Sequence, residues 1–313
     1  MVSYIIKRLA GLIPILIGIS VLVFLILHLV PGDPVLIMLG TNATDEAVSV
    51  LREQLGLNKP LIMQYLNWSL HLLQGNFGES VHTGNAILPE IIKRFGITLQ
   101  LTLLASLIGW AIAIPIGMLS AVKSGSTTDI IGRLIALLGI SVPNFAVGTL
   151  LLLVFSLYIG WFPPMDFVNL WDDPFESIKK LILPAVTMGI VMAAGVMRMT
   201  RSTFLETLGK EFIRTARAKG TPEWKILFEH AFRNSAIPIV TIAGMQFGYL
   251  LGGSVIIEQL FSIPGLGQYI LDGIHQRDYL VVQGGVLFVA VVFVLINLAV
   301  DIVYSLIDPR IKY

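Results

Sequence analysis

The chain has 313 residues, 55% of them hydrophobic and only 13% charged, and its mean hydropathy is +0.83. A water-soluble domain usually carries about 25% charged residues, so this chain has too few solvated groups to cover itself and lipid must cover much of it. A formal charge of +1 excludes bulk attraction for nucleic acid, and the absence of cysteine excludes disulfides, thiolate metal sites and a cysteine nucleophile.

A helix crossing about 30 Å of hydrocarbon needs around 20 mostly apolar residues. Six stretches qualify: 9–30, 97–122, 134–159, 181–200, 236–257 and 284–307. They lack the alternation of barrel strands, so helices must satisfy the backbone in lipid. The predicted class is an all-α membrane protein with six transmembrane helices.

The first stretch follows Lys7 and Arg8 as a signal peptide would, but its apolar run is too long and no small-residue cleavage site follows, so it is expected to stay as an anchor. Pro31, Gly32, Asp33 and Pro34 end it and open a long external segment over 31–96. Within that segment Thr44, with Asp45 and Glu46, caps a short amphipathic helix running to Leu55, and a second such helix covers 60–73. Both are too polar to span.

In the third stretch Pro143 beside Asn144 frees backbone carbonyls and predicts a kink. The fourth is the weakest, short and bounded by Lys179, Lys180 and Pro184 on one side and by Arg198 and Arg201 on the other. Gly244, Gly248 and Gly252 recur every four residues in the fifth and share one face, for close packing either within the chain or against a second membrane subunit. No repeat, low-complexity tract or linker divides the chain, so residues 1–313 read as one membrane domain with an external elaboration.

Basic residues are retained on the cytoplasmic side. With the N-terminus inside, that side holds Lys7, Arg8, Lys123, Arg133, the basic residues from Arg198 to Arg233, Arg310 and Lys312, which is the majority of the 21. The rule favours both termini inside.

Catalytic chemistry leaves no pattern here. The five His are scattered without a metal-binding spacing, and no GxxxxGK[ST] loop is present to cradle phosphate, so no cofactor is expected on this chain. Intramembrane charge, the mark of an ion-coupled carrier, is nearly absent. His28 and Glu258 fall at external ends, and Asp301 lies near an internal end one turn after Asn297. Asn144 and Gln246 are the strongly polar side chains well inside, either lining a polar pathway or bonding between helices.

The cytoplasmic segment of about 201–235 is too long for a turn. Residues 206–219 read as an amphipathic helix with Leu208, Phe212, Thr215 and Ala216 on one side; Gly220 stops it. Thr221 as N-cap with Pro222 at the first helical position then launches a second helix. With Arg214, Arg217, Lys219 and Lys225 present, the pair suits either a partner protein or anionic lipid.

The stretch EFIRTARAKG (211–220) followed by TPEWKILFEHAFRNSAIP (221–238) resembles the cytoplasmic EAA loop of the membrane subunits of ABC importers. There a small-residue triplet precedes a glycine, and Arg214, Thr215, Ala216 and Gly220 hold those places. Arg214 in place of Glu, and Arg233 where many such loops carry proline, resemble the dipeptide, oligopeptide, glutathione and nickel branch. The likeness extends through YIIKRL (4–9), VPGDP (30–34), TLQLTLLA (98–105), GISVPNF (139–145), MRMTRS (197–202), FSIPGLG (261–267) and DPRIK (308–312).

The resemblance implies a type I importer permease of a bacterial or archaeal inner membrane. It implies a second related permease subunit, two ATPase subunits that carry ATP and Mg, and an external solute-binding protein. Energy would then enter by contact, through Arg214, Thr215, Ala216, Arg217, Ala218, Lys219, Gly220, Thr221, Pro222 and Glu223. Di- or oligopeptides are the implied cargo, with nickel chelates or glutathione as the alternative. An ion-coupled secondary transporter and a membrane docking scaffold are the remoter readings.

Overall fold

The computed structural model describes residues 2–29, 33–40, 43–54, 56–164 and 166–307. Among these no strand forms, and the isolated bridge Glu79–Ala86 is the extended pairing. The expected break at Pro31 and Gly32, the helix end at Leu55 and the charges of Arg310 and Lys312 lie outside the described residues. The chain divides into two compact units: Met1–Thr98 with Pro264–Val294, and Leu99–Ile263 with Leu295–Tyr313.

In the first unit α1 (Val2–Leu29) is followed by three short helices, α2 (Pro34–Leu39), α3 (Asp45–Gln54) and α4 (Leu61–Leu73). Asp33 caps α2 by accepting from the Val35 N–H at 3.0 Å, and Thr44 caps α3 by accepting from the Ala47 N–H at 3.2 Å. Phe24 of α1 packs its ring on Tyr65 and Trp68 of α4, at centroid distances of 5.5 and 5.7 Å. Two long helices begin in this unit, α5 (Ile87–Val122) and α14 (Tyr279–Ile307), and between them in sequence lies α13 (Leu266–Gln276). Ile87, Ile91, Leu266 and Val281 form the core here. Gln283 donates to the carbonyls of Val23 and Phe24, a polar tie between α14 and α1 of the kind that holds helices together where apolar burial cannot.

The second unit is organised on α8 (Pro174–Leu208). Around it stand the later part of α5, α6 (Thr127–Ser141), α7 (Asn144–Val154, continued by a π-helical turn to Ile159), α11 (Arg233–Gly253) and α12 (Val255–Leu260). Glycines let backbones approach. A Cβ on Gly189 would lie 2.7 Å from the Ala105 carbonyl, one on Gly117 2.8 Å from the Met197 carbonyl, and one on Gly139 2.8 Å from Ala194. The apolar window of α8 is 72% buried against protein, compared with 11% in α14. That explains its weak appearance in sequence. A helix sheathed by other helices needs no uniformly greasy surface, and its 35 residues reach well past both ends of the stretch 181–200.

Among the described residues four helices are long and apolar enough to cross a membrane: those over Ile87–Val122, Pro174–Leu208, Glu223–Gly253 and Tyr279–Val303. A bent pair makes a fifth if counted as one span, and α1 holds a shorter apolar stretch, Ala10–Leu25. The bent pair replaces the expected single helix over 134–159. Its axes meet at 104° across Val142 and Pro143, a break and not the expected kink. Proline without an N–H ends the ladder of α6, and α7 starts afresh with Pro143 at its N-cap.

Candidate functional site

All the residues singled out for coupling lie in the second unit. Helix α8 runs on to Leu208, and after Gly209 and Lys210 comes α9 (Glu211–Ala218), so the expected helix over 206–219 is interrupted. That restart changes which residues face inward. Ile213 is fully buried with Phe204, Ile226, Ala231 and Ala121, while of the residues grouped on one side Phe212 is 40% exposed and Thr215 is exposed as well.

Gly220 does end α9. It stands at φ +76°, its N–H donates to the Arg217 carbonyl at 2.9 Å, and the Thr221 N–H donates to the Ala216 carbonyl at 3.2 Å. These two bonds define a Schellman cap, whose left-handed residue glycine adopts without a Cβ penalty. The next helix begins one residue later than expected. Pro222 occupies the N-cap of α10 (Glu223–Lys225) and makes no side-chain cap, so Thr221 does not serve as one. A π-helical stretch, Ile226–Phe232, then turns Ile226 and Ala231 into the core.

Arg217 spans the bend and donates to Glu223 from Nη2 at 2.7 Å and from Nε at 3.3 Å. Its hydrogen bond to Glu223 raises the guanidinium above its already high range, and burial opposes this. Phe212, Trp224 and Phe228 remain outside, the last two 57% and 60% exposed. Arg214, Ala218 and Lys219 are exposed beside them.

The inner polar residues Asn144 and Gln246 line one cavity of about 910 Å³ at the break between α6 and α7. Gln246 lies against α8 at Gly195, where an added Cβ would come within 2.8 Å of its Nε2. Arg198, Ser202 and Tyr249 line the same cavity. The glycine stripe of α11 splits. A Cβ on Gly244 would come within 2.2 Å of Val300 of α14 in the same chain, Gly248 is buried, and Gly252 is exposed.

Sequence reading missed the carboxylate that ties these elements together. Asp129, 1% exposed near the start of α6, accepts from Ser120 Oγ at 2.6 Å, from the Gly125 N–H at 3.0 Å and from Arg201 Nε and Nη2 at 2.6 and 2.8 Å. Arg133 lies 3.6 Å away. Such a fork is a directional, charge-assisted clamp between α6 and α8. Arg201 stands 72 residues from Asp129, and nothing local in either segment points to the other.

The apolar helices, the broken pair beside a polar cavity and the bent amphipathic loop define a polytopic helical membrane protein. Residues 113–313 match the family described as the inner membrane component of binding-protein-dependent transport systems, and residues 1–102 match its N-terminal region. The chain belongs to that family of transport permeases. It is 42% identical over 315 residues to a glutathione transport system permease protein of Salmonella typhimurium, and 41% identical to one of Escherichia coli K12. It is 40% identical over 333 residues to a dipeptide transport system permease protein of Alkalihalophilus pseudofirmus. Each match covers the whole of both chains. Among solved structures, the inward-facing MetNI methionine ABC transporter matches 71% of this chain and 98% of its own, with a TM-score of 0.56 at 19% identity, which places the fold.

Proposed function

We propose that this chain is the translocating subunit of an ATP-driven importer of small peptides, acting as one permease domain beside a second, related permease. Two ATPase subunits would carry ATP and Mg, and an external binding protein would deliver the cargo. The observation that carries this reading is the Gly220 bend, apolar inside at Ile213 and Ile226 and aromatic outside at Phe212, Trp224 and Phe228. An exposed aromatic cluster among cations is a contact surface for protein, and a chain without its own phosphate loop must receive work through such a contact.

The packing suggests how that work travels. Closure of the ATPases would move α9 and α10 together, since Arg217 and Glu223 join them. Ile213 and Ile226 press on Phe204 and Ala121, so the load would reach the ends of α8 and α5. The clamp from Asp129 to Arg201 would make α6 follow α8, and packed helices shift between discrete arrangements as rigid bodies. The cavity lined by Asn144 and Gln246 would open to one side and then the other. In this reading the loop and both termini lie in the cytoplasm, as the distribution of basic residues favours, and residues 31–96 face the binding protein.

The full-length relatives divide between glutathione and dipeptide permeases, and both cargoes are short peptides; nickel chelates are the more distant alternative. Purification of the native assembly, followed by uptake of a dipeptide and of glutathione into proteoliposomes with and without ATP, tests the reading. Uptake driven by an ion gradient alone would overturn it, as would crosslinks from 214–225 that reach no nucleotide-hydrolysing subunit.

A further inference from the structure

The cavity at the α6–α7 break carries one charge of one sign. Among the described residues that line it, Arg198 is charged and none is acidic; the remaining polar groups are Ser141, Asn144, Ser202, Gln246 and Tyr249. Arginine is ionised at any physiological pH. Its neighbour one turn on, Arg201, is neutralised by Asp129, whereas Arg198 is exposed and makes no hydrogen bond or ion pair among the described residues. Arg198 lies within α8, a helix long enough to cross a membrane, and lines the cavity there; a charged residue of a membrane helix that faces a cavity marks the route of what passes.

We infer that Arg198 is a carboxylate relay within the passage, which favours cargo bearing free carboxylates over neutral or cationic cargo. This deepens the proposed function and rests on it. The guanidinium fork matches a carboxylate with two parallel N–H donors. Asn144 and Gln246 offer amides that donate and accept without charge, suited to a peptide backbone. A volume of about 910 Å³ lies in the range of roughly 300–1,000 Å³ that small-molecule sites occupy, enough for a short peptide. With no acid opposite, a bound anion would be held by one charge, tightly enough to enter and loosely enough to leave.

The test uses the complete assembly in proteoliposomes, with its own binding protein, and compares ATP-driven uptake of glutathione with that of its diethyl ester, in which both carboxylates are blocked. Arg198→Gln should lower glutathione uptake roughly tenfold, the scale of one lost charged hydrogen bond, and leave ester uptake nearly unchanged. Arg198→Lys should keep most of the preference. Gln246→Glu, which places a counter-charge in the same cavity, should lower glutathione uptake in the same selective way and protects the test against an Arg198 variant that fails to assemble. Equal loss for both cargoes, as a lipid-anchoring or purely structural role would give, overturns the relay, and so does unchanged uptake. Absence of ATP-driven uptake of both glutathione and a dipeptide by the unmutated assembly would instead sink the proposed function itself.

Discussion

Helix α9 ends in a left-handed residue, Gly220 at φ +76°, and helix α13 ends in another, Arg277 at φ +59°. The backbone bonds correspond. The Asp278 N–H donates to the Gly273 carbonyl at 2.8 Å and the Arg277 N–H to that of Ile274 at 3.1 Å, as Thr221 and Gly220 donate to Ala216 and Arg217. What surrounds the two bends is opposite. A Cβ at Gly220 would meet nothing within 4 Å, and one half-exposed ion pair bridges the turn. After Arg277 comes Asp278, 1% exposed, which accepts from Ser80 Oγ at 2.6 Å and from the Val81 N–H at 3.1 Å while capping α14 at the Val281 N–H. One capping device thus serves as an open joint where a partner is expected and as a staple where chain segments 198 residues apart must stay together.

The largest effect should come from pulling the staple. Asp278→Ala strands a buried hydroxyl and a backbone N–H and removes a helix cap, for an expected loss of about 2–4 kcal/mol. Thermal unfolding of the detergent-purified protein should show a clearly lower midpoint, with Asp278→Asn between the two. An unchanged midpoint for the alanine variant would show that the buried contacts of Asp278 hold nothing.

The open joint should respond in function before stability. Gly220→Pro forces φ to about −65° and deletes the N–H donated to Arg217. The variant should insert and assemble, and the ATPases should turn over, but uptake should be lost. Gly220→Ala meets no neighbour and suffers only left-handed strain of about 1–2 kcal/mol, so it should stay coupled. Coupled transport in the proline variant would remove Gly220 from the transmission path.

How far the sequence reveals this design depends on the range of the interaction concerned. Apolar runs marked α5, α11 and α14, and Thr44 and Gly220 marked a helix start and stop, because those signals act within a few residues. A continuous helix over 206–219 does not form because a two-residue interruption at Gly209 and Lys210 resets the periodicity, which buries Ile213 and leaves Phe212 exposed. The stretch 181–200 looked weakest because hydropathy reports how apolar a helix is and not whether protein or lipid covers it. Asp129 with Arg201, and Arg198 facing the cavity, were hidden for a simpler reason: their surroundings come from helices distant in sequence. Arg198 was legible only as the edge of a span.

The smallest effect sharpens the comparison most. Arg277 is exposed and occupies a backbone region that costs a non-glycine residue about 1–2 kcal/mol. Arg277→Gly relieves that strain, and the looser unfolded chain takes back about 0.4–1 kcal/mol. The net should be a gain of about 0–1.6 kcal/mol, seen as a slightly higher unfolding midpoint with Asp278 still in place. In the Asp278→Ala background the gain should persist at similar size, because the strain belongs to one residue's φ and the staple to the next residue's carboxylate. A gain that disappears there would mean that the buried carboxylate itself holds Arg277 in the left-handed region, and the two bends would then differ in backbone mechanics as well as in surroundings.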